Sequence, residues 1–330
     1  MAERHALHFV RRRRFDTGDR ERTTKWILTE QSGDTYYFRN YASHKGREAF
    51  TAALELAYCR VCDHLGIPCA SYVPYRYRGE DGVLTRLLPR AHNLAELYCT
   101  YIQTVWGRDR FSSLEINAAS NRFMAEKIFR TLYPDAADRL LDDLTRIYWL
   151  DVVFLNTDRS LYNLVLSDPG DGPRLYAVDH TELLGHTMHG HGFEEGDWDP
   201  SDLERLIQRT TETREETEHA FVRYYKSCAP AVRRAFRTFL DALGDALPEL
   251  DVEPVIRELL ENRIRELRDT LLHLPHVTPE RNYPLLPRSL FAGMLKALRE
   301  IRSEMQTLSV LSDGTEPKHR RRTGRRPDLK

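Results

Sequence analysis

The sequence lacks several features that would assign it to a class at once. No window approaches the run of about eighteen apolar residues that a membrane-spanning helix needs. The opening residues MAERHALHFVRRRR have no apolar core ahead of their charges, so we expect no secretory leader. The chain also lacks a net charge of either sign, because 49 basic residues stand against 50 acidic ones. Composition therefore gives no global argument for a membrane or a nucleic acid as partner.

Cysteine is scarce, and its number is odd. The five cysteines are scattered through 330 residues, which is typical of reduced thiols in a cytoplasmic protein and not of a disulfide framework. Cys59 and Cys62 form a C-x-x-C inside a predicted helix, with no second pair to complete a zinc site. Buried helix packing is the favoured interpretation, and a metal or redox role is the alternative.

Charge is unevenly distributed along the chain. Arg11 to Arg14 form a basic block, and the end of the chain, KHRRRTGRR, is strongly basic. We expect residues 312–330 to be a basic disordered tail. A solvated terminus is its favoured interpretation, although nucleic acid or acidic lipid is a possible partner for this tail alone.

The first part of the chain has the pattern of a small sheet with one helix. We expect residues 1–22 to be a polar, irregular segment. KWILTE, QSGD and TYYFRNY predict strand, turn and strand. The apolar spacing of residues 49–64 predicts a helix, and a second strand pair follows around the turn at 79–82. Together these elements predict a β-rich lobe over residues 23–90.

Helical periodicity dominates residues 91–311. Three segments repeat their apolar residues at intervals of three and four: NLAELYCTYIQTVW, SLEINAASNRFMAEKIFRTLY and DAADRLLDDLTRIYWLDVVFL. NLVLS, PGDG and RLYAVDH then predict a hairpin, and further helices follow it. The arrangement is a larger helical lobe that carries one buried hairpin. A cleft between two lobes is a usual place for a small ligand.

Polar residues interrupt two apolar runs in the stretch LDVVFLNTDRSLYNLVLSD. Asp158, Asn163 and Asp179 have the spacing of a phosphoryl-transfer site, which needs a carboxylate at the attacking group and oxygen ligands for Mg2+. The predicted hairpin would return Asp179 beside Asn163. Singly, each residue has an ordinary explanation as an ion pair, a turn residue or a cap. Jointly they favour the functional interpretation, because unpaired polar groups between buried segments cost about 1 to 3 kcal/mol each.

At these residues the sequence resembles a known family. LDVVFLNTDRSLYNLVLSD followed by LYAVDHTELLG is similar to the catalytic segment of HipA-like kinases and of the related phosphatidylinositol 3-/4-kinases. TYYFRNY and the helix ALELAYCRVCDHLGIP resemble the first lobe of the same family. The resemblance covers most of residues 24–184. It implies an α+β, two-lobed protein-kinase-like fold with ATP and Mg2+ as cofactors.

The resemblance also implies roles for individual residues. Asp158 would be the catalytic base or the carboxylate that orients the nucleophile, and Arg159 would neutralise charge near it or near the transferred phosphate. Asn163 and Asp179 would be the Mg2+ ligands. Glu55 would orient the cation that binds the phosphates. The adenine would lie against the strand and linker of residues 83–88.

Two positions depart from the family pattern. Arg39 occupies the place of the strand lysine, and either Arg39 pairs with Glu55 and the phosphates or Lys25, one strand earlier, does part of that work. Ser160 stands where many relatives have His. These departures motivate the alternative of a catalytically impaired pseudokinase that binds nucleotide or acts as a scaffold.

The sequence does not specify the loop that covers the phosphates or the acceptor of the phosphoryl group. No G-x-G-x-x-G precedes KWILTE, which argues against a conventional protein kinase; Gly18, Thr23 and Thr24 with Lys25 are candidate phosphate donors, or else part of a mobile terminus. The loop with His186, His189 and His191 lacks the partners of a zinc site and is expected to contact substrate or to be simple loop composition. We expect a cytoplasmic kinase whose acceptor hydroxyl belongs to a protein or a small molecule, a lipid headgroup being less favoured.

Overall fold

The first lobe is built on a five-stranded antiparallel sheet. The computed structural model describes residues 9–14, 25–41, 48–108, 116, 122–156, 159–181, 183, 225 and 228–272. The strands are β1 Phe9–Arg14, β2 Lys25–Glu30, β3 Thr35–Asn40, β4 Tyr72–Tyr77 and β5 Glu80–Arg86. In space the strands follow the order β1-β2-β3-β5-β4. Both predicted hairpins are confirmed. Pro74 lies in β4, where an edge strand tolerates the missing N–H.

Alternation along the strands gives this sheet two different faces. Leu28, Phe38 and Leu84 are buried together on one face. Val83 lies on the other and packs with Tyr72 and with Cys59 of the helix. Because successive side chains point to opposite faces, Arg39 is directed away from Phe38 and toward the helix. The alternation of β3 thus places a cation at the junction between sheet and helix.

The strand β1 corrects one expectation. Residues 1–22 were predicted to be irregular, but Phe9–Arg14 pairs antiparallel with β2. The Phe9 ring packs edge-on against Tyr36 and Tyr75, and the Arg12 guanidinium lies 5.9 Å from the centre of the Tyr77 ring. Four consecutive arginines hide the alternation of apolar and polar residues that usually indicates a strand. The strand is packed through aromatic residues that are distant in the sequence.

One long helix lies between β3 and β4 in the chain and packs against the sheet and against helices of the second lobe. This helix, α1 (Glu48–Leu65), confirms the predicted one and ends at Gly66, which has a φ of 62°. The second lobe contains α2 Leu94–Trp106, α3 Arg122–Leu132, α4 Ala137–Val153, α5 Pro230–Ala246 and α6 Pro254–Leu272. Among the described helices, none is long and apolar enough to cross a membrane.

The predicted hairpin lies against these helices. It consists of β7 Leu164–Ser167 and β8 Arg174–Ala177, and the short strand β6 His92–Asn93 extends it to three strands. Leu164, Leu166 and Leu175 are buried in one continuous core with residues of α1, α2 and α4. The hairpin is also joined to the first lobe, because Ala70 N donates to the carbonyl of Ala177 at 2.9 Å. Both lobes therefore meet at the end of β8.

Candidate functional site

A buried carboxylate, Glu55 on α1, forms the centre of the junction between the lobes. Its side chain has no exposed surface and accepts three hydrogen bonds. The donors are the Arg39 guanidinium, the Tyr41 hydroxyl and, at 3.1 Å, the backbone N–H of His180. Since a buried charge is costly unless it is paired and hydrogen-bonded, this complete set of partners explains how Glu55 remains in the interior.

Arg39 connects this carboxylate to a second one. Its Nη1 donates to Asp179 Oδ1 at 2.7 Å while its Nη2 donates to Glu55. The guanidinium carbon lies 5.6 Å from the centre of the Tyr41 ring and 5.7 Å from that of Tyr72. Arg39 is only 4% exposed, and its Nε has no hydrogen-bond partner among the residues that the structure describes.

Asp179 lies directly beyond β8 in a left-handed backbone conformation, with a φ of 55°. Asp tolerates this region better than most residues, although a non-glycine residue there is uncommon. Two contacts hold the turn: the Asp179 N–H donates to the Tyr72 hydroxyl at 3.2 Å, and the Thr181 hydroxyl donates to Asp179 Oδ1 at 3.0 Å. The carboxylate is thereby fixed at the meeting point of the lobes, with its side chain 41% exposed.

The charges around Asp179 favour its ionised form. Burial by itself raises the pKa of the carboxyl group, but this effect is limited because the side chain keeps 41% of its surface exposed. The charge of Arg39 and the hydrogen bonds from Arg39 and Thr181 outweigh it and lower the pKa of Asp179 below its usual range. Asp179 is therefore an anion at neutral pH.

The structure brings Asn163 beside Asp179, as the hairpin geometry predicts. Asn163 ends a short 3-10 turn, Leu161–Asn163, immediately before β7. Its backbone carbonyl accepts a hydrogen bond of 3.1 Å from the N–H of Val178, the residue before Asp179. Asn163 and Asp179 thus lie at neighbouring strand ends, and side chains with oxygen donors of this kind suit Mg2+.

Arg159 is 1% exposed and directed into the core. Asp158, the carboxylate near which it was predicted, lies outside the described residues, so a role near that carboxylate or the phosphate stays a prediction. The Nε and Nη2 of Arg159 donate to Asp151 at 2.9 and 3.0 Å, and its Nη1 donates to the carbonyls of Asn163 and Val178, both at 2.8 Å. Arg159 therefore ties the loop before β7 to the end of β8.

Asp151 is a residue of this site that sequence analysis missed. It lies on α4, is 3% exposed, and also accepts hydrogen bonds from the Tyr58 hydroxyl and the Asn156 amide. The signal was present in the sequence, because Asp151 is a charged residue inside the apolar run from Leu150 to Leu155. A carboxylate at such a position requires a buried cation, and Arg159 is that cation.

Lys25 and Gly82 lie on the strands that flank Arg39. Lys25 is directly opposite Arg39 in the β2–β3 register, so the two side chains share one face of the sheet. Gly82 of β5 approaches β3 so closely that an added Cβ would lie 2.1 Å from the carbonyl oxygen of Arg39. Glycine is therefore required where the sheet supports Arg39.

Several predicted positions lie outside the described residues. They include the proposed catalytic carboxylate Asp158, the candidate phosphate donors Gly18, Thr23 and Thr24, the loop with His186, His189 and His191, and the basic tail. The segment proposed for adenine is described: Val83 and Leu84 are buried in β5, and Leu87 is 45% exposed. The roles assigned to these positions stay predictions.

Comparison with known proteins rests on structure alone. No protein-family model matches the sequence, and no curated protein is similar to it by sequence. The Helicobacter pylori proinflammatory kinase CtkA is similar in structure, with a TM-score of 0.50 and 9% identity over 82% of this chain and 95% of that one. The chain has a two-lobed, kinase-like fold. The fold expected from the sequence is thereby confirmed.

A second solved structure is less similar. It is HipA of Shewanella oneidensis in complex with HipB and operator DNA, with a TM-score of 0.35 and 12% identity over 78% of this chain and 67% of that one. At 9% identity the comparison with CtkA establishes the fold alone and leaves the chemistry to the residues of the site.

Proposed function

We propose that this protein is an ATP- and Mg2+-dependent phosphotransferase that transfers the γ-phosphoryl group to a hydroxyl. The observation that carries the proposal is the position of Arg39, which contacts both Glu55 and Asp179 across the junction of the lobes. A kinase-like site requires a cation paired with a helix carboxylate and an acidic metal ligand near the phosphates. Three elements distant in sequence supply these groups together.

Asn163 and Asp179 are the residues that would hold Mg2+. Their oxygen donors fit a hard cation, and the pKa of Asp179, lowered by Arg39, keeps the carboxyl group ionised. When bound, the metal supplies positive charge to the phosphate oxygens. The protein's own contribution is to fix the two ligands, through the hydrogen bond between Val178 and Asn163 and through the Tyr72 hydroxyl.

Arg39 is proposed to bind the phosphates in place of the usual lysine. Its unpartnered buried Nε favours a further hydrogen-bond acceptor such as a phosphate oxygen, because an unsatisfied buried donor costs free energy. The planar guanidinium presents several donors in a fixed geometry, which suits phosphate oxygens. Lys25, on the same face of the sheet, is placed to add positive charge.

Asp158 is proposed to orient the acceptor hydroxyl and to accept its proton. Its position in the chain, next to Arg159 and five residues before Asn163, supports this role. We assign Arg159 a positioning role in place of direct contact with phosphate, because its donors are directed to Asp151 and to backbone carbonyls in the core. The acceptor class, the adenine contact at residues 83–88 and a cytoplasmic location stay predictions.

The experiment is thermal unfolding of the full chain with millimolar ATP, with and without Mg2+. We expect a Mg2+-dependent rise in the unfolding temperature that is lost in Asp179→Ala, because a ligand that binds only the folded state stabilises it. The matched control is Asp171→Ala, an exposed carboxylate in the turn of the same hairpin, which should keep the rise. Absence of any Mg2+-dependent shift in the unsubstituted protein would contradict the proposal.

A transfer assay separates catalysis from binding. Phosphate release or autophosphorylation should be lost in Asp158→Ala while the Mg2+-dependent stabilisation by ATP is kept. If the unsubstituted protein binds ATP with Mg2+ but neither hydrolyses it nor transfers phosphate, the alternative of a nucleotide-binding pseudokinase replaces the enzyme.

A further inference from the structure

Two thiols that contact each other take no part in the function described above. Cys59 on α1 and Cys69, just before β4, have their sulfur atoms 3.6 Å apart. Each lies 3.3 Å from the same carbonyl oxygen, that of Ala70. The two sulfurs are thus in van der Waals contact, and a disulfide bond of about 2.05 Å requires them to approach by only about 1.5 Å.

His180 gives the two thiols different environments. Its ring is wholly buried and stacked on Tyr58, with the ring centres 4.1 Å apart. Nδ1 lies 3.1 Å from Nη2 of Arg159, and Nε2 lies 3.2 Å from the sulfur of Cys69. Because arginine only donates, Nδ1 must accept, and this assigns the proton of the neutral ring to Nε2. His180 therefore donates to the sulfur of Cys69.

These contacts distinguish the first thiol to react from the second. The hydrogen bond from His180 stabilises negative charge on the sulfur of Cys69, and the Arg159 cation on the far side of the His180 ring adds to this effect. Cys69 is also partly exposed, whereas Cys59 is 3% exposed. Burial raises the pKa of both thiols, so oxidation will be slower than at an exposed thiolate. The arrangement suits a pair that responds to oxidant at high dose.

We propose that Cys59 and Cys69 form a reversible disulfide when the protein meets a peroxide. The Cys69 thiolate attacks one peroxide oxygen and the O–O bond breaks, giving a sulfenic acid. The departing oxygen leaves as hydroxide, which takes up the proton that Cys69 lost on ionising and becomes water. The Cys59 sulfur then attacks the Cys69 sulfur, the S–O bond breaks, and the hydroxyl leaves as a second water with the Cys59 proton. Two thiols and one hydrogen peroxide give one disulfide and two waters. This site does not depend on the proposed function.

A metal site is the competing explanation, since ligand atoms of Cys59, Cys69 and His180 lie within 4.8 Å of one another. The surroundings of His180 argue against it. A histidine that binds metal through one nitrogen donates the N–H of the other to an acceptor, but here the other nitrogen faces the donor Arg159. Metal binding at Nε2 would set two donors against each other.

Peptide mapping tests the pair directly. The reduced full-length protein is treated with hydrogen peroxide, its remaining thiols are blocked with N-ethylmaleimide, and it is digested with trypsin and Asp-N. Cleavage after Arg60 and before Asp63 places Cys59, Cys62 and Cys69 on separate peptides. We expect a species joining the Cys59 and Cys69 peptides, lighter by two hydrogens and released by dithiothreitol. Its yield should rise with peroxide dose.

Three variants provide the controls. Cys59→Ser and Cys69→Ser should abolish the joined species, and Cys62→Ser, from the next turn of the same helix, should keep it. A dominant Cys62–Cys69 or Cys59–Cys62 product would overturn the proposal, as would oxidation confined to Cys99 and Cys228. Stoichiometric zinc in the purified protein that protects both thiols until it is chelated would overturn it in favour of the metal site. The unsubstituted protein decides the question even if a variant fails to fold.

Discussion

The guanidinium of Arg39 lies 2.7 Å from the carboxylate of Asp179, although 140 residues separate them in the chain. One belongs to a central strand of the first lobe and the other to the turn beyond the hairpin of the second. Their contact, together with the pair between Arg39 and Glu55, fixes the two lobes relative to each other at the proposed site. Four predictions on stability follow from these contacts and their neighbours.

Replacing Arg39 should reduce stability in a graded way. Arg39→Lys keeps the charge but cannot span Glu55 and Asp179 with a planar fork, and we expect a loss of about 1 to 3 kcal/mol. Arg39→Met leaves Glu55 buried without its cation, which should cost about 3 to 5 kcal/mol. Urea unfolding measures both. Two variants as stable as the original chain would show that the ion pairs do not form.

The pair between Arg159 and Asp151 should be strongly coupled. Arg159→Met and Asp151→Asn should each cost about 3 to 5 kcal/mol, because each leaves a buried partner unpaired. The double variant should cost much less than the sum, which a double-mutant cycle in urea measures. The control is Arg130→Met, which removes exposed pairs with Glu126 and Asp138 and should change stability little. Simple additivity would contradict the coupling.

His180 should make stability depend on pH below neutrality. Burial, and then the charge of Arg159, lower its pKa well below the usual value, so the folded protein keeps it neutral. As the pH falls below about 6.5, only the unfolded chain gains this proton, and stability falls by up to about 1.4 kcal/mol per pH unit. Full stability is present above that range.

The measurement for His180 is unfolding between pH 8 and pH 5 with a chelator present. His180→Asn should show a smaller slope of stability against pH, whatever its absolute stability. His92→Asn, which removes an exposed histidine of β6, is the matched control for the substitution. Equal slopes in all three proteins would mean that His180 titrates normally in the fold.

Gly82→Ala should disturb the strand that supports Arg39. The added methyl group would lie 2.1 Å from the Arg39 carbonyl oxygen, so the pairing of β3 and β5 must shift. We expect a loss of about 1 to 3 kcal/mol and a weaker Mg2+-dependent stabilisation by ATP. Gly244→Ala is the control, because its nearest atom belongs to the flexible Arg268 side chain and alanine favours a helix. Equal effects would argue against the close approach.

Local patterns predicted most elements of the fold. The apolar periodicity of α1 and α4 and the turns at Gly33 and Gly79 are properties of short stretches, so the sequence alone located these elements. The strand β1 was missed because its packing depends on Tyr36, Tyr75 and Tyr77, which are far away in the chain. Non-local aromatic contacts of this kind leave no periodic signal.

For the candidate site too, some features are visible in the sequence and others appear only in the tertiary structure. The sequence by itself determined which residues are available, because an Asn and two Asp residues at kinase-like spacing, with Arg39 and Glu55 upstream, are visible in one dimension. Only the tertiary structure decided that Arg39 bridges Glu55 and Asp179, that Arg159 is directed into the core toward Asp151, and that Cys69 lies against Cys59 and His180. The physical reason is that these pairings depend on how α1 packs against the sheet and against His180 beyond the hairpin. This packing brings distant charges and thiols close together and removes them from water.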